Sequence, residues 1–201
     1  MKVIGLCGGS GSGKGCVCEI FKAFDIPSID TDMVYRQLTS SESDCLLSLK
    51  KEFGEGIVNG SGALDRAALR KIVFEGDGCG LRRETLNKIA HKYILARTDE
   101  LLSEYDKLGK KAAIVDAPLL FESGYDKRCD VILAVIADEH VRINRIIKRD
   151  GISPEAAKLR VRTQLSDEEL KKLCDYYIVN NGDFTQLESQ VREIAYQIIN
   201  S

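Results

Sequence analysis

Gly8-Gly9-Ser10-Gly11-Ser12-Gly13-Lys14 decides the fold. The stretch fits the first seven positions of G-x-x-x-x-G-K-[ST]. It lies between the apolar run Val3-Ile4-Gly5-Leu6-Cys7 and a segment in which Val17, Ile20, Phe21 and Phe24 recur at i, i+3, i+4 and i+7. A buried strand, a glycine-rich turn and an amphipathic helix, in that order, are the context in which this pattern cradles phosphate. Glycines let successive backbone N–H groups converge on one anion, and the following helix turns its positive end to the same place. Lys14 is long enough to reach the β- and γ-phosphates as a mobile point charge. The nucleotide-binding candidates here are Gly9, Ser10, Gly11, Ser12, Gly13, Lys14, Gly15 and Cys16. Position 15 departs from the pattern. Gly15 stands where a Ser or Thr hydroxyl would ligate Mg²⁺, and the next residue, Cys16, is a soft ligand ill suited to that ion. Mg²⁺ keeps several waters in any case, so a water is expected to fill the missing position.

Outward from the loop, short apolar runs alternate with helical patterns. Ile26-Pro27-Ser28-Ile29 reads as a second strand ending at Asp30. Ala112-Ala113-Ile114-Val115 reads as a third, ending at Asp116 and stopped by Pro118. Residues 131–136 form a fourth, and 176–179 a fifth that ends in the turn Asn180-Asn181-Gly182. The last helix shows Phe184, Leu187, Val191, Ile194, Ala195 and Ile198 on one side. Fully apolar strands separated by helices predict a three-layer α/β core around a parallel five-stranded sheet. The stretch 39–110 contains no strand pattern. It holds helical spacing such as Leu86, Ile89, Ala90, Tyr93 and Ile94, with a glycine-rich break around Gly76–Gly80, and reads as a helical insertion between strands two and three. A second helical segment, 142–172, reads as a small lid, with the hinge at Arg149-Asp150-Gly151-Ile152-Ser153-Pro154. The core is then residues 1–38, 111–141 and 173–201.

Ligands of an open parallel sheet sit beyond the carboxyl ends of its strands, where this chain carries Asp30, Asp32 and Asp116. Asp30 and Asp32 are expected to divide two roles: capping the next helix, and accepting a proton or holding Mg²⁺ waters. Asp116, an acid after an apolar strand, is a metal candidate, directly or through water. Arg142, Arg145 and Arg149 at i, i+3 and i+7 put three guanidinium groups on one helix face. Residues 142–164 carry seven basic side chains against two acids, a net +5 in a chain of net −2, so the remainder carries −7. A cation cluster in an acidic protein implies an anionic ligand, and after the phosphate cradle a triphosphate is the natural one.

The 201 residues suffice for one sizeable domain with insertions, burying roughly 70% of the unfolded surface, so no disulfide or metal is needed to hold a core. The near-neutral balance gives no sign of nucleic-acid binding, and no apolar run approaches the ~18 residues of a membrane span. The N-terminus has one basic residue and a short apolar stretch, so no secretory signal is expected. Seven scattered cysteines (7, 16, 18, 45, 79, 129 and 174) read as reduced thiols of a cytoplasmic protein, without zinc spacing. Only two histidines are present, His91 and His140, so a histidine-based metal site or triad is not expected.

These residues together resemble the dephospho-CoA kinase family. The resemblance runs from Ile4 through Lys14; Asp30-Thr31-Asp32 with Arg36; Phe53-Gly54; Leu64-Asp65-Arg66; His91; Asp116-Ala117-Pro118-Leu119-Leu120-Phe121-Glu122; Arg149-Asp150-Gly151-Ile152-Ser153; Gln164; and Asn180-Asn181-Gly182. It implies a P-loop kinase with a nucleotide-binding core, a helical substrate-binding insertion for CoA at 39–110 and a small lid, which phosphorylates the ribose 3′-hydroxyl of dephospho-CoA with ATP and Mg²⁺. Asp32 would be the base, with Lys14 and Arg145 as its catalytic partners and Asp32 and Asp116 at the metal. Arg145 and Arg149 would meet the phosphates, and Asn180 would lie near the adenine. Arg36, Asp65, Arg66, His91, Pro118, Leu119, Phe121 and Glu122 would join Asp32 on the dephospho-CoA side. The family usually carries Ser-Thr after the P-loop lysine, where this chain has Gly15-Cys16. Two alternatives stand beside this reading: another small-molecule P-loop kinase acting on a nucleoside or nucleotide, or a catalytically weak nucleotide-binding regulator. A monomer or small homo-oligomer is expected.

Overall fold

The computed structural model describes residues 1–75 and 78–200. Five strands, β1 (Lys2–Cys7), β2 (Ser28–Asp30), β3 (Ala112–Asp116), β4 (Val131–Ile136) and β5 (Tyr176–Val179), form one sheet in the order β2-β3-β1-β4-β5. The helices are α1 (Lys14–Ala23), α2 (Thr31–Leu38), α3 (Asp44–Phe53), α4 (Arg66–Phe74), α5 (Cys79–Lys107), α6 (Glu139–Asp150), α7 (Pro154–Arg162), α8 (Asp167–Leu173) and α9 (Phe184–Asn200). The three-layer α/β core with a parallel sheet is the architecture expected from the sequence. Two compact units divide the chain: Met1–Ile29 with Leu102–Ser201, and Asp30–Leu101.

In the first unit, β1 runs through the sheet centre, parallel to β3 (Ile4 opposite Ile114) and to β4 (Leu6 opposite Leu133). Successive strand residues face opposite sides of a sheet. Ile4 and Leu6 pack into a buried cluster with Val17, Ile20 and Phe21 of α1 and with Leu187, Val191 and Ile198 of α9. Cys7 faces the other side, its Sγ 3.4 Å from that of Cys174 beyond α8, which packs on β4. The six described cysteines outside position 79 are free thiols; the side chain of Cys79 lies outside the described residues.

Two details differ from the sequence reading. The second strand begins at Ser28 rather than Ile26, because Pro27 has no N–H to give a ladder; it contributes only its carbonyl, to Ile114 N at 2.8 Å. Phe184, the first residue of α9, is exposed, whereas Leu187, Val191, Ile194, Ala195 and Ile198 are buried as their spacing predicts.

The α6–α7 junction follows from local chemistry. Gly151 ends α6 at φ +65°, and the Ser153 hydroxyl accepts from Ala156 N to start α7, with Pro154 in the first turn. Ile146, Ala157 and Val161 bury one another between the two helices.

The second unit has its own core, in which Cys45, Leu46 and Leu49 of α3 meet Leu69 and Val73 of α4. Leu86, Ile89 and Tyr93 of α5 pack against it. Between α3 and α4 the only strand-like pairing among the described residues is an isolated bridge, Val58 with Leu64. The glycine-rich break separates α4 from α5; Gly78 has φ +78°, and Gly76 lies outside the described residues.

Candidate active site

The P-loop joins β1 to α1. Gly13 precedes α1 in the left-handed region (φ +99°, ψ +25°), and no side chain caps the helix. An uncapped helix start leaves backbone N–H groups for an anion. Lys14 Nζ donates to Gly8 O at 3.0 Å and lies 4.0 Å from Asp116 Oδ1 at the end of β3, both side chains being largely shielded from solvent. Lysine and acid thus stand side by side at the cradle.

The arginine face does not act as one group. Arg142, read from its spacing as a triphosphate ligand, is 4% exposed and committed to protein. Its Nε donates to Ser10 O at 3.1 Å, its Nη2 donates to Gln164 Oε1 at 2.8 Å, and its Nη1 lies 3.7 Å from Asp167 Oδ1. Burial lowers its pKa, with Asp167 and Glu139 opposing that shift. The reason lies in Gly9, where a Cβ would fall 1.9 Å from Arg142 Nη2: the guanidinium lies close against the loop backbone. One helix turn further on, Arg145 Nη1 reaches Gly11 O and Ser12 O at 3.3 and 3.4 Å. These contacts are long for charge-assisted bonds, so Arg145 is near the cradle without being tightly held. Arg149 is exposed. Its Nη2 is 3.5 Å from Ser10 Oγ, and its Nε donates to Asp150 at 2.7 Å. Hydrogen bonds from Arg149, then from Arg160, hold the Asp150 carboxyl down at about 2.

Asn180, at the end of β5, is 5% exposed. Its Nδ2 donates to Ser12 O at 2.7 Å, and its Oδ1 accepts from Arg145 Nη2 at 3.4 Å. Its side chain therefore braces the P-loop from behind.

A cavity of about 420 Å³ opens off the loop. Gly8 and Gly9 line one side, Pro118, Leu119, Phe121 and Glu122 another, and Arg162, Gln164 and Leu165 close it from the α7–α8 connection. Four of the expected dephospho-CoA-side residues thus stand at the phosphate cradle. Of Arg160 and Arg162, only Arg162 lines this cavity, in keeping with their placement on opposite helix sides.

In the second unit, Arg36, Asp65 and Arg66 line another cavity, of about 530 Å³, with Thr39, Ser40 and Asn59. His91, on α5, does not line it. Asp65 also caps α4, accepting from Ala67 N and Ala68 N at 3.0 Å. Of the Asp-x-Asp pair, Asp30 is the α2 cap: its Oδ1 accepts from Asp32 N (2.8 Å) and Met33 N (3.1 Å).

Among the described residues, no group of three or more His, Cys, Asp or Glu side chains is placed to hold a metal ion. Mg²⁺ rarely needs one, taking one or two carboxylates with phosphate oxygens and water. Asp116 beside Lys14 fits that donor set. At Gly15 an added Cβ would meet nothing within 4 Å, so the site has room for a water or for the side chain the motif usually carries. No helix among the described residues is long and apolar enough to cross a membrane.

Sequence reasoning missed the loop-bracing work of Arg142, Asn180 and Gln164. Gln164 is one position in a resemblance, and nothing in the local pattern around it signals a contact with Ser10, 154 residues earlier.

The family model for dephospho-CoA kinase matches residues 2–186. A dephospho-CoA kinase of Fusobacterium nucleatum is 38% identical over 201 aligned residues, covering 98% of each chain. One of Arabidopsis thaliana is 36% identical, covering 98% of this chain and 84% of its own. The solved dephospho-CoA kinase of Campylobacter jejuni superposes with a TM-score of 0.73 at 26% identity, covering 100% of this chain and 98% of that one.

Proposed function

The chain belongs to the dephospho-CoA kinase family, and from that premise we propose how its residues move a phosphoryl group from ATP to dephospho-CoA. The reaction is ATP + 3′-dephospho-CoA → ADP + CoA, with the ribose 3′-hydroxyl as acceptor.

One observation supports the residue assignment above the others: the cavity of about 420 Å³ has the P-loop glycines on one wall and residues 118–122 on another. In our reading the triphosphate fills the cradle, its γ-phosphate faces this cavity, and the sugar alcohol approaches over the 118–122 segment. Phosphoryl transfer leaves little covalent work to the protein, so positioning and charge neutralisation supply most of the acceleration. Lys14 neutralises the β- and γ-oxygens, and Arg145 adds charge from the lid side. Arg149, tethered to Asp150, approaches through Ser10. Asn180 serves the nucleotide by holding the loop, and its place near the adenine rests on the resemblance. Arg36, Asp65 and Arg66 hold the remainder of dephospho-CoA in their own cavity, and His91 belongs to the same side by resemblance alone. Asp116 would hold Mg²⁺ together with water, and by the resemblance Asp32 would belong to the same site; the bound ion would supply positive charge to the phosphates. Residues 142–172 act as the lid that excludes water, which would otherwise compete for the phosphoryl group.

The direct test is phosphorus NMR of the product formed from ATP and dephospho-CoA, beside an ADP-release assay with AMP, CMP and UMP as acceptors. A new 3′-phosphomonoester signal, formed only with dephospho-CoA, is expected. ATP binding without acceptor-dependent ADP release would overturn the assignment in favour of a regulator, and preference for a nucleoside monophosphate would favour another kinase.

Two substitutions probe single roles. With Asp30 already used as a cap, Asp32→Asn removes the base and leaves the helix start intact; turnover should fall about 10²-fold while the Kd for ATP moves little. Unchanged turnover would remove Asp32 from the mechanism. Gly15→Ser adds a hydroxyl in open space, on a residue already helical, and should lower the Mg²⁺ concentration for half-maximal activity a few-fold. Superimposable Mg²⁺ titrations would mean that water already does the hydroxyl's work.

A further inference from the structure

Two thiols meet beside the phosphate cradle. Cys7 ends β1, one residue before the P-loop glycines, and Cys174 closes α8, donating its N–H to Leu170 O at 3.1 Å. Their Sγ atoms are 3.4 Å apart, and both are free. Both backbones are held by β4: Cys7 stands opposite Ala134, and Asp175 N, next to Cys174, donates to Ile132 O at 3.0 Å. The two sulfurs are unequal. Cys7 is 4% exposed and borders the cavity beside Gly8 and Gly9, whereas Cys174 is half-buried. Keeping the shared proton on the more buried sulfur makes Cys7 the donor. Its hydrogen bond holds the Cys174 thiol below the ordinary cysteine value, against burial and the charge of Asp175. The same contact, then burial, pushes the Cys7 thiol up; Lys14 opposes that rise and Asp116 adds to it.

We propose that Cys7 and Cys174 are a redox modification site: a low-molecular-weight disulfide oxidises them to a reversible intramolecular disulfide, and that bond slows the enzyme. The effect on turnover rests on the kinase reading above; the bond itself does not. The Cys174 thiolate, the more exposed and more acidic of the two, attacks one sulfur of the oxidant R–S–S–R. The first R–S⁻ leaves and takes up the proton that Cys174 had given to water, and a mixed disulfide remains on Cys174. Cys7 then gives up its proton and attacks the Cys174 sulfur. The Cys7–Cys174 bond forms as the mixed bond breaks, and the second R–S⁻ leaves with the Cys7 proton. The two protein thiols lose two electrons, and R–S–S–R gains them to become two R–SH. Strand β1 cannot yield as the sulfurs close to bonding distance. It is paired on both sides, and Gly8 already lies so near β4 that a Cβ there would fall 2.3 Å from Val135 O. The movement falls on Cys174 and the end of α8. The bond thus fastens the exit of the 142–172 lid to the strand that carries the cradle, and a fastened lid releases product slowly.

The test equilibrates the full chain in glutathione buffers from fully reduced to fully oxidised, blocks the remaining thiols with iodoacetamide, and reads non-reduced peptide masses and kcat on the same samples. A peptide pair joined through Cys7 and Cys174 is expected to grow with the oxidised fraction. Once it is complete, kcat should be about tenfold lower, and dithiothreitol should restore it. Cys174 does not line the cavity. Reduced Cys174→Ser should therefore keep kcat within about twofold of the parent, and oxidised glutathione should leave it there. The variant also separates the pair from Cys16, which is exposed at the cradle. Were glutathione on Cys16 the cause, Cys174→Ser would be slowed as much as the parent, and the proposal would fall. Should Cys174→Ser fail to fold, Cys174→Ala takes its place. Absence of the Cys7–Cys174 link in fully oxidised buffer overturns the proposal, and so does a complete link with kcat within about twofold of the reduced protein. If reduced protein shows no ADP release dependent on dephospho-CoA, the kinase reading fails alone. The peptide masses then still report the bond, and the release rate of a fluorescent ATP analogue, expected to fall about tenfold on oxidation, replaces kcat as the measure of its effect.

Discussion

Lys14→Met should lower kcat/KM for ATP on the order of 10³-fold and leave the protein folded. Methionine matches lysine in length, so the packing of the stem beside the loop is kept; what disappears is the charge. The loss is larger than that of one neutral donor because of the neighbour. Lys14 Nζ lies 4.0 Å from Asp116 Oδ1, and both side chains are largely withdrawn from water. With the ammonium gone, the carboxylate faces an incoming triphosphate without that compensation, and repulsion is added to lost attraction. The double variant Lys14→Met, Asp116→Asn should therefore recover about tenfold in ATP affinity, although Asp116→Asn alone weakens the enzyme. A kcat/KM within about tenfold of the parent for Lys14→Met would show that the lysine does not meet the phosphates.

The fold was legible because its signals are local. The run Val131–Ile136 is apolar throughout and short, as a strand covered on both faces requires, and its limits match the structure. The same holds for the Gly151 and Pro154 punctuation of α6 and α7, where one residue needs a left-handed backbone and the other forbids continuation. Pro27 shows the limit of reading runs alone: an apolar neighbour counts toward a strand in sequence, but a residue without N–H cannot extend the ladder. At the site, composition and spacing found the cradle and the residues at strand ends. They could not assign tasks among similar residues. Arg142, Arg145 and Arg149 share a helix face and a charge, yet only Arg142 is buried, because its guanidinium alone lies against the bare backbone of Gly9. Asp30 and Asp32 likewise look alike until the cap bonds to Asp32 N and Met33 N are seen. Asn180 was read as a nucleotide contact, and its buried bond to Ser12 O, 168 residues away, has no trace in local sequence.

Gly13→Ala tests that brace more severely than any change at Asn180 itself. Gly13 lies at φ +99°, and a Cβ there would sit 2.1 Å from Asn180 Nδ2. Two costs follow. An L-residue in the left-handed region is strained by about 1–2 kcal/mol. Displacing Asn180, which is 5% exposed, breaks its 2.7 Å bond to Ser12 O in surroundings where few waters can replace it, adding about 1–3 kcal/mol. A loss of about 3 kcal/mol should lower Tm by about 6–12 °C in a chain of this size. The effect on activity is larger still, on the order of 10³-fold, because Arg145 loses its contact with Asn180 Oδ1 and the loop amides no longer converge on one anion. Gly15→Ala is the matched control: the same methyl group two residues later meets nothing within 4 Å and sits in helical backbone, so Tm should hold or rise slightly. Equal Tm values for the two alanine variants would mean that Gly13 is chosen for neither its backbone angle nor its closeness to Asn180, and the bracing of the cradle by β5 would have to be abandoned.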